Sequence, residues 1–81
     1  MRVTVRLSGE LATQIGRPRF SISMADGATV ENLTDLLRQE HPESLLLINT
    51  AVPIVAGRHV TQSEPLADGQ EVAFLLPIAG G

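Results

Sequence analysis

One amphipathic segment, set among stretches that alternate with period two, constrains this chain most. Val30, Leu33, Leu36 and Leu37 fall on one side of a helix, and Glu31, Asp35, Arg38 and Gln39 fall on the other. Such a stripe has to be covered, and in a chain of 81 residues one face of a sheet is the natural cover. Thr29 is placed to act as the N-cap and Glu31 to meet the positive end of the first turn, while Pro42 disfavours helical geometry in the residue before it. The helix is expected to run to about His41.

The flanks supply the sheet. Val3, Val5 and Leu7 alternate with Arg2, Thr4 and Arg6, so the odd residues of a first strand face inward. After a loop containing Gly9 and Gly16, Phe20, Ile22 and Met24 alternate with Arg19, Ser21 and Ser23, and the two strands pair as a hairpin with a long connection. "ADGAT", 25–29, is a turn into the helix. Leu45 to Ile48 carries no period that separates a helical turn from a connection, and it is expected to be irregular. Val52–Val55 reads as a third strand, "AGR" as a turn around Gly57, His59 and Val60 as a short extension, and "LADGQ" as a turn around Asp68 and Gly69. Glu71 to Leu76 is the last strand, with Val72 and Phe74 on one face and Ala73 and Leu75 on the other. Connection rules place it beside the first strand, parallel to it. The expectation is one α+β domain over 1–81, without repeat or linker, in a β-grasp plan: a mixed sheet of four to five strands packed on one main helix.

Composition closes several routes to function. With 43% hydrophobic and 19% charged residues the chain is of the folded, globular kind. A formal charge of -3, and arginines that form no run, argue against a nucleic-acid surface and point to a basic partner surface. Without cysteine there is no disulfide, thiolate metal site or cysteine nucleophile. Without lysine, the only primary amine is that of Met1, so copies cannot be joined to one another through side-chain amides. "MRVTVRLSG" alternates instead of forming the apolar core of a signal peptide, and Val72 to Ala79 is far shorter than the ~20 apolar residues that cross a bilayer. A cytoplasmic protein with no membrane partner is expected.

Few side chains are arranged for chemistry. His41 and His59 lie on different elements with no carboxylate at a metal-ligand spacing, so no metal site is expected. Glu31 and Asp35 sit one turn apart on the solvent side of the helix, where they serve solubility. Ser8 and Ser44 have no histidine and acid around them, and the glycines at 9, 16, 27, 57 and 69 stand singly, which leaves no phosphate-cradling loop. The end of the chain is different. Gly80 and Gly81 follow an apolar strand with no polar spacer. Glycine has no β-carbon, so an extended pair passes through a channel too narrow for other residues and leaves the terminal carbonyl open to attack from either face. A carboxylate is a poor electrophile, but converted to an acyl adenylate it carries a good leaving group, and the reacting group would be the Gly81 carboxyl. Ala73 and Leu75, facing away from the core, with Leu76 and Ile78 beyond the covered sheet, then form an apolar docking patch for the enzyme that handles the tail.

"LADGQEVAFLLPIAGG", 66–81, resembles the C-terminal signature of the MoaD-like small subunits of molybdopterin synthase, within the ThiS/MoaD family of ubiquitin-like sulfur carriers. "VTVRL" and "ADGATVENL" resemble that family too, so the likeness covers most of the chain. It implies a β-grasp fold with no catalysis by the isolated chain and no bound cofactor. It also implies a MoeB-like adenylyltransferase that uses ATP and magnesium to activate Gly81, a persulfide donor that makes the thiocarboxylate, and a MoaE-like large subunit that receives the tail and passes the sulfur to a pterin precursor of the molybdenum cofactor. Residue by residue, Gly81 matches the sulfur-bearing position, Gly80 the second channel glycine, and Phe74, Leu75, Pro77 and Ile78 the partner-contacting strand end. Leu76, where the family commonly has proline, belongs to the same contact. Relatives that carry sulfur for thiamin, cysteine or transfer-RNA thiolation share fold and diglycine, and a ubiquitin-like modifier would join Gly81 to a target lysine instead. A plain interaction module, with an incidental diglycine, would react with no activating enzyme.

Overall fold

The alternation of the first residues does what period two dictates: β1 (Arg2–Leu7) buries Val3, Val5 and Leu7 and turns Arg2 and Arg6 to water. The computed structural model describes residues 1–77. β1 pairs antiparallel with β2 (Arg19–Ser23) and parallel with β5 (Glu71–Leu75). β5 pairs on its other side with β3 (Val52–Val55), which turns back into β4 (Arg58–His59). The sheet order is β2-β1-β5-β3-β4, so the last strand lies at its centre. Parallel pairing of first and last strands is as the connection rules predict, because the helical crossover packs on one face only.

α2 (Val30–Glu40) covers that face. Thr29 caps it reciprocally: its hydroxyl accepts from the Asn32 N–H at 3.3 Å, and the Asn32 side-chain oxygen accepts from the Thr29 N–H at 2.9 Å. The helix stops at His41, whose N–H reaches the Leu37 carbonyl before Pro42 intervenes. Its buried stripe is Val30, Leu33, Thr34 and Leu37, with Leu36 only half buried. Thr34 enters the stripe because its hydroxyl donates to the Val30 carbonyl one turn back at 2.8 Å, which satisfies the polar atom within the helix. The core joins these residues to Val3, Val5, Leu7, Phe20, Val55, Val72 and Phe74 of the sheet. Ile22 and Met24, expected inside, pack partly buried at the edge of the core because β2 is an edge strand.

Two segments differ from the sequence expectation. The stretch between Gly9 and Gly16 forms a helix, α1 (Gly9–Ile15), ended by Gly16 in the left-handed region. The stretch after Pro42 is a 3-10 turn (Pro42–Ser44) leading into α3 (Leu45–Thr50). Each lends one apolar side chain to the main core, Leu11 and Ile48. Polar ties hold them there: the Ser44 hydroxyl and the Gln14 side-chain oxygen are 2.8 Å apart, and Arg38 of α2 donates to the Asn49 side-chain oxygen at 2.8 Å. The result is the β-grasp plan, with two short helices added beside the main one. Among the described residues no helix is long and apolar enough to cross a membrane.

Candidate functional site

The root of the C-terminal segment is fixed by the centre of the sheet. β5 bonds on both edges, to β1 and to β3, so the strand that feeds the tail is held from both sides. Phe74 is 1% exposed and fills the core between sheet and helices. This corrects its place in the partner-contacting set: the even residues of β5 face α2, so a partner could touch Phe74 only by opening the core. Leu75, on the opposite face beside Val52, is half buried.

Leu76 is half buried, as Leu75 is. Its side chain packs against the core, with Cδ1 3.8 Å from where a β-carbon on Gly9 would sit. Its N–H donates to the Ser8 hydroxyl at 3.1 Å, and that hydroxyl in turn lies 3.5 Å from the Phe74 carbonyl. Ser8 and Gly9, the latter at φ +54°, thus form a corner between β1 and α1 that holds the first backbone N–H beyond β5. Ser8 carries no catalytic machinery, yet it is the residue that sequence reasoning missed here. Its partners are backbone groups 66 and 68 positions away, and no local pattern announces them. Pro77 is exposed, while Ile78, Gly80 and Gly81 lie outside the described residues.

The face of the sheet away from α2 is open, and Leu75, Val52 and Ile54 form its half-buried apolar strip. Ala73 was expected to join them, but it is 1% exposed. It is the smallest side chain in its row, flanked by Arg6 on β1 and Ile54 on β3, and these longer neighbours shade it. The difference in length leaves a depression of about 270 Å³ lined by Arg6, Ile54, Glu71 and Ala73 among others. Of the remaining candidates, His41 caps the end of α2 with Nδ1 3.4 Å from a Glu43 oxygen, and His59 is exposed opposite Ile54. Among the described residues no group of three or more histidines and carboxylates could hold a metal ion.

A central strand held on both sides and an exposed proline lead toward the diglycine of the sequence as the candidate site, and comparison with known proteins places the chain. The sequence model of the ThiS family matches residues 5–81, which takes in the whole of the last strand and the diglycine. The chain belongs to the ThiS family. No curated protein matches it. Among solved structures it is similar to SAMP1 of Haloferax volcanii, at 23% identity and a TM-score of 0.83, each chain covered completely. It is similar as well to a chain in the complex of subunits 1 and 2 of the molybdopterin-converting factor of Helicobacter pylori, at 24% identity and a TM-score of 0.74, again over both whole chains. The ubiquitin of Caldiarchaeum subterraneum matches at 20% identity and a TM-score of 0.68, covering all of this chain and 98% of that one. At these identities the structures establish the ubiquitin-like β-grasp fold.

Proposed function

We propose that this protein carries sulfur on its C-terminal carboxyl and donates it as the small subunit of a molybdopterin synthase. The observation that carries the reading is the family match, which runs in sequence from the central strand β5 through Gly80 and Gly81. A carboxylate oxygen of Gly81 attacks the α-phosphorus of ATP on a partner adenylyltransferase, which uses magnesium, and pyrophosphate leaves. The terminal sulfur of a persulfide donor then attacks the carbonyl carbon and AMP leaves. A thiol cleaves the resulting acyl disulfide and is itself oxidised to a disulfide, which frees the thiocarboxylate. The tail is next inserted into a large synthase subunit, where the sulfur passes to the pterin precursor.

The chain's own contribution is placement. Glycine at 80 and 81 keeps the tail narrow, and the Ser8 corner fixes where it leaves the sheet. Leu75 supplies the apolar contact next to it. Incubation with the adenylyltransferase, ATP, magnesium and a persulfide donor should add the mass of a sulfur in place of one oxygen, mapped to Gly81. Deleting Gly81 should abolish the gain while the circular dichroism stays unchanged. Transfer of the sulfur to the pterin precursor by the large subunit is the expected second step, and its absence with a competent thiocarboxylate would send the sulfur to another acceptor. Appearance of the chain on lysines of other proteins would make it a modifier.

A further inference from the structure

β2 ends the sheet, and no strand among the described residues stands beyond it. The pleat decides which of its backbone groups face that free edge. The Leu7 N–H donates to the Pro18 carbonyl and the Met24 N–H to the Met1 carbonyl, each at 2.8 Å, and in an antiparallel pair every second residue is bonded in this way. Phe20 and Ile22 therefore bond to Val5 and Val3, while the N–H and C=O of Arg19, Ser21 and Ser23 point outward. Such an edge is a template for another strand, and proteins commonly blunt it with lysine, proline, a bulge or brevity. The opposite edge, β4, is only two residues long. β2 has five residues in unbroken register with β1 and no proline among them. Its one charge is Arg19, which shares Glu71 with the Arg6 opposite it on the open face. The side of β2 toward α2 is left incomplete as well. Ile22 is half buried, and so are Met24 and Leu36, which line a depression of about 410 Å³ between the edge and the helix.

We propose that this edge pairs with the β2 edge of a second copy of the chain, antiparallel about a twofold axis through Ser21, so that the two five-stranded sheets become one. The occupant follows from self-complementarity. Only residues 19, 21 and 23 present outward groups, and the register that uses all of them sets Arg19 against Ser23 of the second copy and Ser21 against its own equivalent. On the helical side the same register brings Phe20 of one copy against Ile22 of the other, an aromatic and β-branched pair of the kind that stabilises adjacent strands. It also brings the two depressions beside Met24 and Leu36 to either side of the axis. Charge favours this orientation. β2 is entered through Arg17, whose guanidinium lies 4.8 Å from the Phe20 ring, and Arg19, and it leaves toward Asp26, which is 94% exposed although 3.3 Å from the Met1 amine. Antiparallel pairing lays the basic entry of each strand beside the acidic exit of the other, whereas parallel pairing would set like charge against like. Assembly stops at two, because the edges then left outermost are the short β4 strands. The pairing is independent of the sulfur-carrier reading, since β5 lies two strands in from the joined edge.

Sedimentation velocity on the whole chain at concentrations up to ~1 mM, together with amide hydrogen exchange, tests the pairing. The parent should pass from monomer to dimer as concentration rises. In the dimer the Arg19, Ser21 and Ser23 amides should slow, while Phe20 and Ile22, bonded within each copy, are protected at every concentration. Ser21 is exposed, so its side chain can be changed without disturbing the core. Ser21→Lys and Ser21→Asp each place like charges across the axis on backbones about 5.5 Å apart, and each should weaken dimerisation about fivefold or more. Mixed in equal amounts, the two variants should dimerise within about threefold of the parent, because opposite charges then face each other. Leu46→Glu, at the 80% exposed position of α3, should leave the dimer within about twofold of the parent. The alternating protection of the parent needs no variant, so it decides the matter if a charge at position 21 disturbs the circular dichroism. A chain that stays monomeric throughout overturns the proposal and leaves the edge to an extended segment of another protein. A dimer without that alternation, one that folded charge variants form as readily as the parent, or one that Leu46→Glu abolishes overturns it equally, as does a mixture that fails to restore pairing.

Discussion

Ala56 adopts φ +51°, a value that L-residues with a β-carbon avoid, and among the described residues it is the only non-glycine to do so. With Gly57 at +75° it forms the two-residue turn between Val55 and Arg58, which needs positive φ at both positions to match the twist of its strands. "AGR" announced a turn, but alanine gave no hint that it would bear the strain. Ala56→Asn should therefore stabilise the fold by about 1 kcal/mol, since asparagine tolerates that region better. A denaturant midpoint that falls would show that the turn is not strained. Ser8 is the opposite case. Replaced by alanine, it leaves the Leu76 N–H without its acceptor at the root of the tail, at a cost of about 1 kcal/mol. Hydrogen exchange at the Leu76 amide should rise more than exchange at Val72, deep in the same strand. Equal protection in the variant would remove the corner as an anchor. Burial within β5 was readable from parity at Val72 and Phe74, but Ala73 was not, because its shading depends on Arg6 and Ile54, residues of two other strands.

Elements were legible where a period had room to repeat. β1 and α2 carry three or more apolar residues in register, and both formed within a residue or two of the expected bounds. α1 and α3 did not show themselves. "GELATQI" starts on glycine, a poor helix former, and buries only Leu11, while "LLLINT" is too short for its leucines to sort into faces, leaving Leu46 80% exposed. Helices of one or two turns gain their stability from what they pack on, and those neighbours come from distant parts of the chain. The main helix, by contrast, states its own limits. Thr29→Ala should cost about 1 kcal/mol, because the Asn32 N–H loses its acceptor and the reciprocal bond loses its partner geometry. Leu33→Ala, at the fully buried centre of the stripe, should cost about 2 to 5 kcal/mol. Chemical denaturation that ranks Thr29→Ala above Leu33→Ala would mean the helix depends on its cap more than on its cover.

At the scale of the whole molecule the sum of charges conceals their arrangement. Net charge is a property of composition, whereas the potential that a partner meets depends on which residues share a face, and that is settled only by strand order and register. The -3 of the sequence and the arginine pair of the open sheet coexist because helices and loops hold almost all of the acid. This separation sets two responses to salt against each other. Folding depends on an apolar core, and its ion pairs, such as Arg6 with Glu71, are exposed and worth little. Association steered by charge depends on long-range attraction, which ions screen beyond about 8 Å at physiological strength. Raising sodium chloride from low to roughly 0.5 M should therefore shift the melting temperature, followed by circular dichroism, by no more than a few degrees. Over the same range the association rate with the adenylyltransferase should fall by about tenfold, with the dissociation rate nearly constant. An association rate that is flat in salt would mean that charge does not guide the encounter, and would leave apolar contact next to the tail, as at Leu75, as the whole of the attraction.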